Sequence, residues 1–401
     1  MSIDDAELVI NIADDLSQII GTAAVYGAPG EFSLQIDHAN NQVELIGQVP
    51  SSPQLASAIG ALTGVDVAGS IGGKLEYSGD PTARNAQLNL TLDLQKSSID
   101  VPQINWAKLP VESGRATMAL SLRNGEIDQI TNINITAGSL SAQGQVVFAT
   151  SGQVQAAFFE RVAWPGNDLR DLIIEASADQ SWKVGASARL VNLQPLRGNE
   201  GVSGGKALAF DFTADQIVVD NSITLSGQLN GTRNSDGHGR AEFLGSLLVR
   251  GKPLLTEANL EIVFGPLGET VIGTGLIGGG EVHFDYQSPP DGIPQLILNT
   301  KNAGRVLAGL GITETVRSGV MRLTNQFRDK VFQSYDTRIE LNDFSIVEAP
   351  RALRVFSVLS VAGLYSLVQG DGTAFERGLA VFETRGSEVK IVSLKARGAA
   401  V

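Results

Sequence analysis

The chain contains no cysteine, so it has neither a disulfide framework nor a thiolate that could serve as nucleophile or metal ligand. Histidine is nearly as scarce: His38, His238 and His283 are the whole complement. No two of them have a metal-ligand spacing, and no H-E-x-x-H motif is present. His38 and His238 fall in polar, turn-like stretches and His283 alternates outward on a strand pattern, so all three read as solvated. Aromatic residues amount to 6%, and Trp106, Trp164 and Trp182 are isolated, which leaves no stacking platform for sugars or bases.

Positive charge is also short, with 30 Lys and Arg against 43 Asp and Glu and a formal net charge of -13. That balance disfavours nucleic acid, because phosphates call for clustered cations, and it disfavours a highly anionic membrane surface for the same reason. Carboxylates such as Asp4, Asp5, Asp14 and Asp15 read as a solvated acidic face. Long apolar runs are missing as well. The nearest, residues 352–368, falls short of the roughly 18 consecutive apolar residues of a membrane span and carries Arg354 near its start. Met1 leads into Asp4, Asp5 and Glu7, where a secretory leader would carry a basic region. The expectation is a non-enzyme with no cofactor and no metal, and both chain ends read as cuts through a longer protein.

What the chain does contain is glycine, 45 residues in 401, and an insistent alternation of aliphatic with small polar residues. The run Gln87-Leu88-Asn89-Leu90-Thr91-Leu92-Asp93-Leu94 places all four leucines on one side of a strand. The same pattern returns through Met118, Leu120 and Leu122, which meet an Asn124-Gly125 hairpin signal. It continues at Ile133 and Ile135, at Phe148, at Phe210 and Phe212, at Ile223 and Leu225, and at Ile262 and Phe264. A spacing of about 10 residues per strand is the rhythm of an antiparallel meander.

Helical signals are few. Residues 53–62 begin with Pro and carry Leu55, Ile59 and Leu62 on one face. A second short helix is expected over 303–310, and a third, apolar on nearly all sides, over 350–369. The loop 287–294 is the best candidate boundary. It divides a meander, 1–290, from a helix-containing module, 291–401.

Gly273-Thr-Gly275-Leu-Ile-Gly278 satisfies G-x-G-x-x-G literally, yet Gly279-Gly280 and a strand pattern follow where a dinucleotide site needs a helix N-terminus. A glycine-rich strand or bulge is the better reading.

The apolar stripe admits two readings. In one, two sheets face each other and the leucines are a sandwich core, as most apolar strand faces are. In the other, the sheet is an open trough whose lining is available to acyl chains. The meander is too long for a common sandwich of roughly 100 residues, and nothing between Gly64 and Gly280 reads as a helix that could cover it.

The last third carries a resemblance. Asn302–Ile312, Arg317–Leu323, Ile339–Pro350, Leu353, Leu359–Leu364 and Gly370–Arg377, in that order, resemble the C-terminal region of AsmA-like proteins of the YhdP and TamB type. The resemblance implies a bridge-like lipid carrier. Such a protein is held at the inner membrane of a Gram-negative cell by an N-terminal anchor missing from this sequence, with a β-groove crossing the periplasm. It further implies phospholipids as ligands and envelope proteins as partners at the groove ends.

The expected fold is therefore mainly β, an elongated, curved antiparallel groove of about 20 strands at roughly 4.8 Å each. Its lining would comprise Leu88, Leu90, Leu92, Leu94, Met118, Leu120, Leu122, Ile133, Ile135, Phe148, Phe210, Phe212, Ile223, Leu225, Ile262 and Phe264. The helix carrying Leu353, Phe356, Leu359 and Leu364 is expected to cap the groove or lie near a membrane. The alternative is an envelope scaffold, a β-solenoid with a closed core.

Overall fold

The computed structural model describes residues 3–25, 27–82, 84–177, 181–192, 206–219, 221–266, 268–290, 292–329, 333–347 and 373–398. The helix expected over 350–369, with Leu353, Phe356, Leu359 and Leu364, lies outside them. The fold is mainly β, built on open antiparallel sheet with two short helices among the described residues. The chain forms two compact units that divide within residues 201–215, so the loop 287–294 lies inside the second unit.

In the first unit the strands are β1 (Ile3–Ile12), β2 (Leu16–Val25), β3 (Ala28–Asp37), β4 (Gln42–Ser52), β5 (Asp66–Gly69), β6 (Ile71–Gly79), β7 (Asn85–Asp93) and β8 (Ser97–Val101). They continue with β9 (Trp106–Lys108), β10 (Gly114–Arg123), β11 (Glu126–Ala137), β12 (Leu140–Phe148), β13 (Val154–Trp164), β14 (Asn167–Ala176) and β15 (Trp182–Asn192). All but three pair in sequence as one antiparallel meander. The exceptions, β5, β8 and β9, form a separate small sheet.

Strand β16 (Leu208–Val218) spans the division. The second unit continues with β17 (Ile223–Arg233), β18 (Gly239–Val249), β19 (Lys252–Gly265), β20 (Gly268–Ile277), β21 (Gly280–Ser288) and β22 (Gln295–Thr300). Then come β23 (Val316–Phe327), β24 (Ser334–Ile346), β25 (Thr373–Arg385) and β26 (Glu388–Gly398). From β17 to β26 every strand pairs antiparallel with the next. Two-residue turns join neighbours in both units: Asn124-Gly125 between β10 and β11 (φ 56° and 86°) and Gly278-Gly279 between β20 and β21 (57° and 75°) adopt the left-handed conformation that matches strand twist.

Each unit closes one corner of its apolar face with a helix. Helix α1 (Pro53–Thr63) starts where Ser52 Oγ accepts from the backbone N–H of Gln54 and Leu55. It ends at Gly64, whose φ of 69° only glycine adopts freely. Ala56 of α1 packs with Ile71, Leu94, Trp106, Ala116 and Ala137, and Val67, Ile99 and Val101 of the small sheet join them. The sequence reading had no cover for the sheet between Gly64 and Gly280. The small sheet supplies one, built from strands too short for their alternation to register. In the second unit α2 (Ala303–Gly309) lays Ala303, Val306 and Leu307 over Ile277, Val282, Val316 and Met321.

The small sheet is anchored by a buried cation. Lys108 is 1% exposed, and its Nζ donates to the carbonyls of Ser97 (2.8 Å), Leu109 (3.1 Å) and Gln95 (3.5 Å). The Leu109 carbonyl also accepts from the Glu112 N–H at 3.0 Å. Burial pushes the ammonium below the usual lysine range, against the opposing pull of Glu112 and Asp93. Lys108→Met keeps the stem but removes the three ammonium hydrogen bonds, and it is expected to lower unfolding stability by about 1–3 kcal/mol in urea titration. Because the folded pKa is lowered, the unfolded chain holds the extra proton from that value up to 10.5, and stability climbs with pH across this window. The Met variant is expected to lack that climb.

Candidate functional site: the apolar strand face

The pairing register turns local alternation into a continuous surface. In the first unit one row of partners runs Ile10, Ile19, Leu34, Leu45, Tyr77, Leu88, Leu120, Ile130, Val146, Ala157, Ile174, Val184, one residue from each of twelve strands. Every member carries an apolar body. The adjacent row on the opposite face reads Asn11, Gln18, Gln35, Glu44, Ser78, Gln87, Ser121, Gln129 over the first eight strands, all polar. The second unit repeats the arrangement from β17 to β26 as Leu229, Phe243, Leu260, Gly273, Phe284, Leu298, Leu323, Ile339, Ala380, Leu394.

β-Bulges hold these rows in phase. In β11, Ile130 pairs with Val146 and Ile133 with Gly144, three residues opposite two, with Asn132 in the left-handed region at φ 51°. Without that extra residue Ile130 and Ile133 would point to opposite faces. Asp171 does the same between Leu169 and Ile174 of β14, and Glu257 between Leu255 and Leu260 of β19. The sequence signal for each is a change of parity in the apolar alternation. Ile130, passed over when only even-spaced neighbours were sought, is found by that signal.

Of the residues expected to line a groove, Leu88, Leu90, Leu92, Met118, Leu120, Leu122, Ile135 and Phe148 lie half-buried on the first unit's apolar face, and Ile133 is nearly covered at 8% exposure. Leu94 is different: it follows β7 and packs under the α1 corner with Trp106, at 5% exposure. Its place is the closed corner, because the small sheet folds over that end of the strand. In the second unit Ile223, Leu225, Ile262 and Phe264 are half-buried on one face, and the ring of Phe210 lies against Gly231 on the same face. Phe212, half-buried, belongs to the stretch that clusters with the first unit. Glycine makes room for rings: a Cβ on Gly239 would stand 2.3 Å from Cζ of Phe264.

The glycine fingerprint resolves into sheet and turn. Gly273 and Gly275 are in β20, and Gly278 opens the hairpin to β21, so no helix N-terminus follows. Gly278 is instead pressed by α2, since a Cβ there would lie 2.5 Å from the Arg305 carbonyl oxygen. A literal G-x-S-x-G, residues 201–205, also occurs and lies outside the described residues. Among the described residues no three His, Asp or Glu side chains are placed to hold a metal ion, and no helix is long and apolar enough to cross a membrane.

The charged groups sit on the polar side. Asp168, on the face opposite Leu169, receives Arg161 Nε at 2.9 Å and Arg189 Nε at 3.0 Å, and these bonds hold its carboxyl below the usual range. Asp336 is held low in the same way, first by Arg328 and also by Arg385. His38 shares a hydrogen bond with Ser17 Oγ at 2.9 Å. The two Asp–Arg clusters lie off the apolar rows, whereas Ser17, which pairs with Ile12 and Ile36, shares the side of Ile19 at the strand end. No protein-family model, curated protein or solved structure matches the chain.

Half-burial has a measurable consequence. Leu90→Ala on the uncovered face is expected to cost about 1 kcal/mol, since little further surface is exposed. Met321→Ala under α2, at 1% exposure, is expected to cost about 2–5 kcal/mol. Chemical denaturation of both variants checks the contrast, and equal losses would mean that Leu90 belongs to a closed core.

Proposed function

We propose that this chain is a segment of a bridge-like lipid carrier, shielding phospholipid acyl chains on its apolar strand faces while the head groups stay in water. The observation that carries the reading is the unbroken apolar row across twelve strands, half-buried along most of its length. Within the first unit, the elements that pack over this face among the described residues are α1 and the small sheet, and both sit at one corner.

Magnitudes favour passive movement. Twelve strands span about 53 Å along the row at roughly 4.8 Å per step. One acyl chain, about half of a 30 Å hydrocarbon core, covers about three strands. Sliding by one strand exchanges equivalent aliphatic contacts, at about 25 cal/mol per Å² on each side of the exchange, so the free-energy profile is nearly flat. No energy source is needed in the chain, and direction follows the lipid gradient. The resemblance of residues 302–377 to AsmA-like proteins agrees with this reading, and the proposal extends to a place in the periplasm of a Gram-negative envelope, held at the inner membrane.

Native mass spectrometry with lipid extraction tests the proposal. The purified chain is expected to carry several phospholipids. Leu88→Asp puts an ionised group in the middle of the row, where acyl chains cannot solvate it. That variant is expected to lose most of the bound lipid while unfolding at nearly the parent temperature. A lipid-free parent with a cooperative transition would instead identify a closed scaffold.

A further inference from the structure

One row of the second unit's apolar face is broken by a polar pair. From Val271 of β20 the row runs through Tyr286 and Leu296, meets Asn325 of β23 and Thr337 of β24, and resumes with Phe382. Asn325 and Thr337, both half-buried, stand two positions along their strands from the core residues Leu323 and Ile339 and so share their face. An amide in such a row is costly unless something bonds it. Asn325 Oδ1 is enclosed by protein and accepts no hydrogen bond. Nδ2, the arm of the amide that is not enclosed, has no partner among the described residues either. Thr337 is directly opposite Asn325 in the pairing, so the amide N–H and the threonine O–H can serve one occupant.

The setting narrows the kind of occupant. Helix α2 packs over Val316 and Met321, toward the start of β23, whereas Asn325 lies toward its end. One row further along, Phe327 pairs with Tyr335, and the rings of Tyr286, Phe327 and Tyr335 meet edge to face with centroids 6.5 and 5.8 Å apart. Along β23 the face therefore passes from aliphatic at Leu323 to amide at Asn325 to aromatic at Phe327, in steps of about 7 Å. A phospholipid layer has the same order: hydrocarbon, then ester, then the water boundary where Tyr gathers. Both open groups of the polar pair are donors, and the acceptors nearest the acyl chains of a phospholipid are its ester carbonyls.

We propose that Asn325 and Thr337 hold the ester carbonyls of a bound diacyl phospholipid, giving the second unit's face a fixed seat for lipid. The proposal rests on the carrier reading and adds the group that is recognised. The amide N–H and the threonine O–H donate and the carbonyl oxygens accept, while the phosphate stays beyond the aromatic row, in water.

A competition between diester and diether phosphatidylcholine of equal chain length tests the seat, since only the diester has carbonyls. The full chain is loaded from detergent micelles holding both lipids in equal amounts, at less than one lipid per chain so that the tightest seat fills first. Mass spectrometry reads the ratio retained. The parent is expected to favour the diester about fivefold, the worth of one to two neutral hydrogen bonds. Asn325→Leu should bring the ratio to about one, with the total lipid bound from an excess unchanged. Thr337→Val should lower the ratio part of the way, and it reads the same contrast if Asn325→Leu fails to fold. Thr324→Val, on the opposite face, should leave the ratio as it is in the parent. Equal uptake of both lipids by the parent, or a preference that survives in Asn325→Leu, would overturn the seat and leave carriage standing. Uptake of neither lipid would remove the carrier reading and the seat with it.

Discussion

Everything in this structure depends on strand register staying in phase with the apolar alternation. A strand has a period of two, so a slip of one residue would turn all its leucines to the polar face. Over a dozen strands a single unphased insertion would break the surface into patches. The chain meets this constraint with tight turns at Asn124-Gly125, Arg250-Gly251 and Gly278-Gly279, which fix each hairpin's offset. It also places bulges wherever the sequence contains an odd step. Asn132, Asp171 and Glu257 adopt φ values near 50° at points where three residues face two. The local strain of a left-handed Asp or Glu is small beside the cost of exposing the rest of a strand's apolar side chains.

Stability and openness are assigned to different places. The fully buried clusters lie at the corners beneath α1 with the small sheet and beneath α2, where Ile71, Val306, Val282 and Met321 are nearly inaccessible. In the first unit the row away from the corner stays mostly half-buried, whereas in the second unit Phe243, Leu260, Leu298, Leu323 and Ile339 of the row are themselves 0–6% exposed and belong to the core. In the first unit the closed corner can hold the fold together while the half-buried row contributes less than it would in a sandwich. Polar groups follow the same division. Lys108 is satisfied entirely by backbone carbonyls within its corner, and the Arg161–Asp168–Arg189 and Arg328–Asp336–Arg385 triads brace the polar face.

Much of the fold was legible because period-two alternation is a local signal and antiparallel neighbours are sequential. The β7 leucines, the Asn124 hairpin, α1 and α2 all follow from residues within one turn or strand of each other. Two things were not legible, each for a physical reason. Strands β5, β8 and β9 have four, five and three residues, too few for a pattern, and β5 finds its partner β8 only across the intervening β6 and β7. Leu94 therefore read as one more member of the β7 stripe, although it turns into the closed corner. The bulges were hidden because alternation was followed with fixed parity, so Ile133 was seen and Ile130 was not. For the candidate surface, sequence identified the face but not its burial. Whether a stripe of leucine is covered depends on which other elements fold over it, and that is a non-local property.

An apolar face that remains half-buried sits between two failures. Covered completely it would be a sandwich core and could admit nothing. Flat and bare it would associate with copies of itself, since edge and face would both be available. Three features hold the intermediate state here. Side chains such as Leu88, Leu120 and Ile130 shelter one another along the row, leaving less than their full surface to water. The reverse face is lined with Gln, Asn, Ser and Glu, so stacking two sheets back to back gains no hydrophobic energy. The net charge of -13 adds long-range repulsion between copies. Repulsion of that kind acts on whole molecules, while a zwitterionic or anionic lipid with its head group in water meets only the local row. On the proposed carrier reading, the arrangement discriminates by geometry and charge together, rejecting a second sheet while a flexible hydrocarbon chain is admitted.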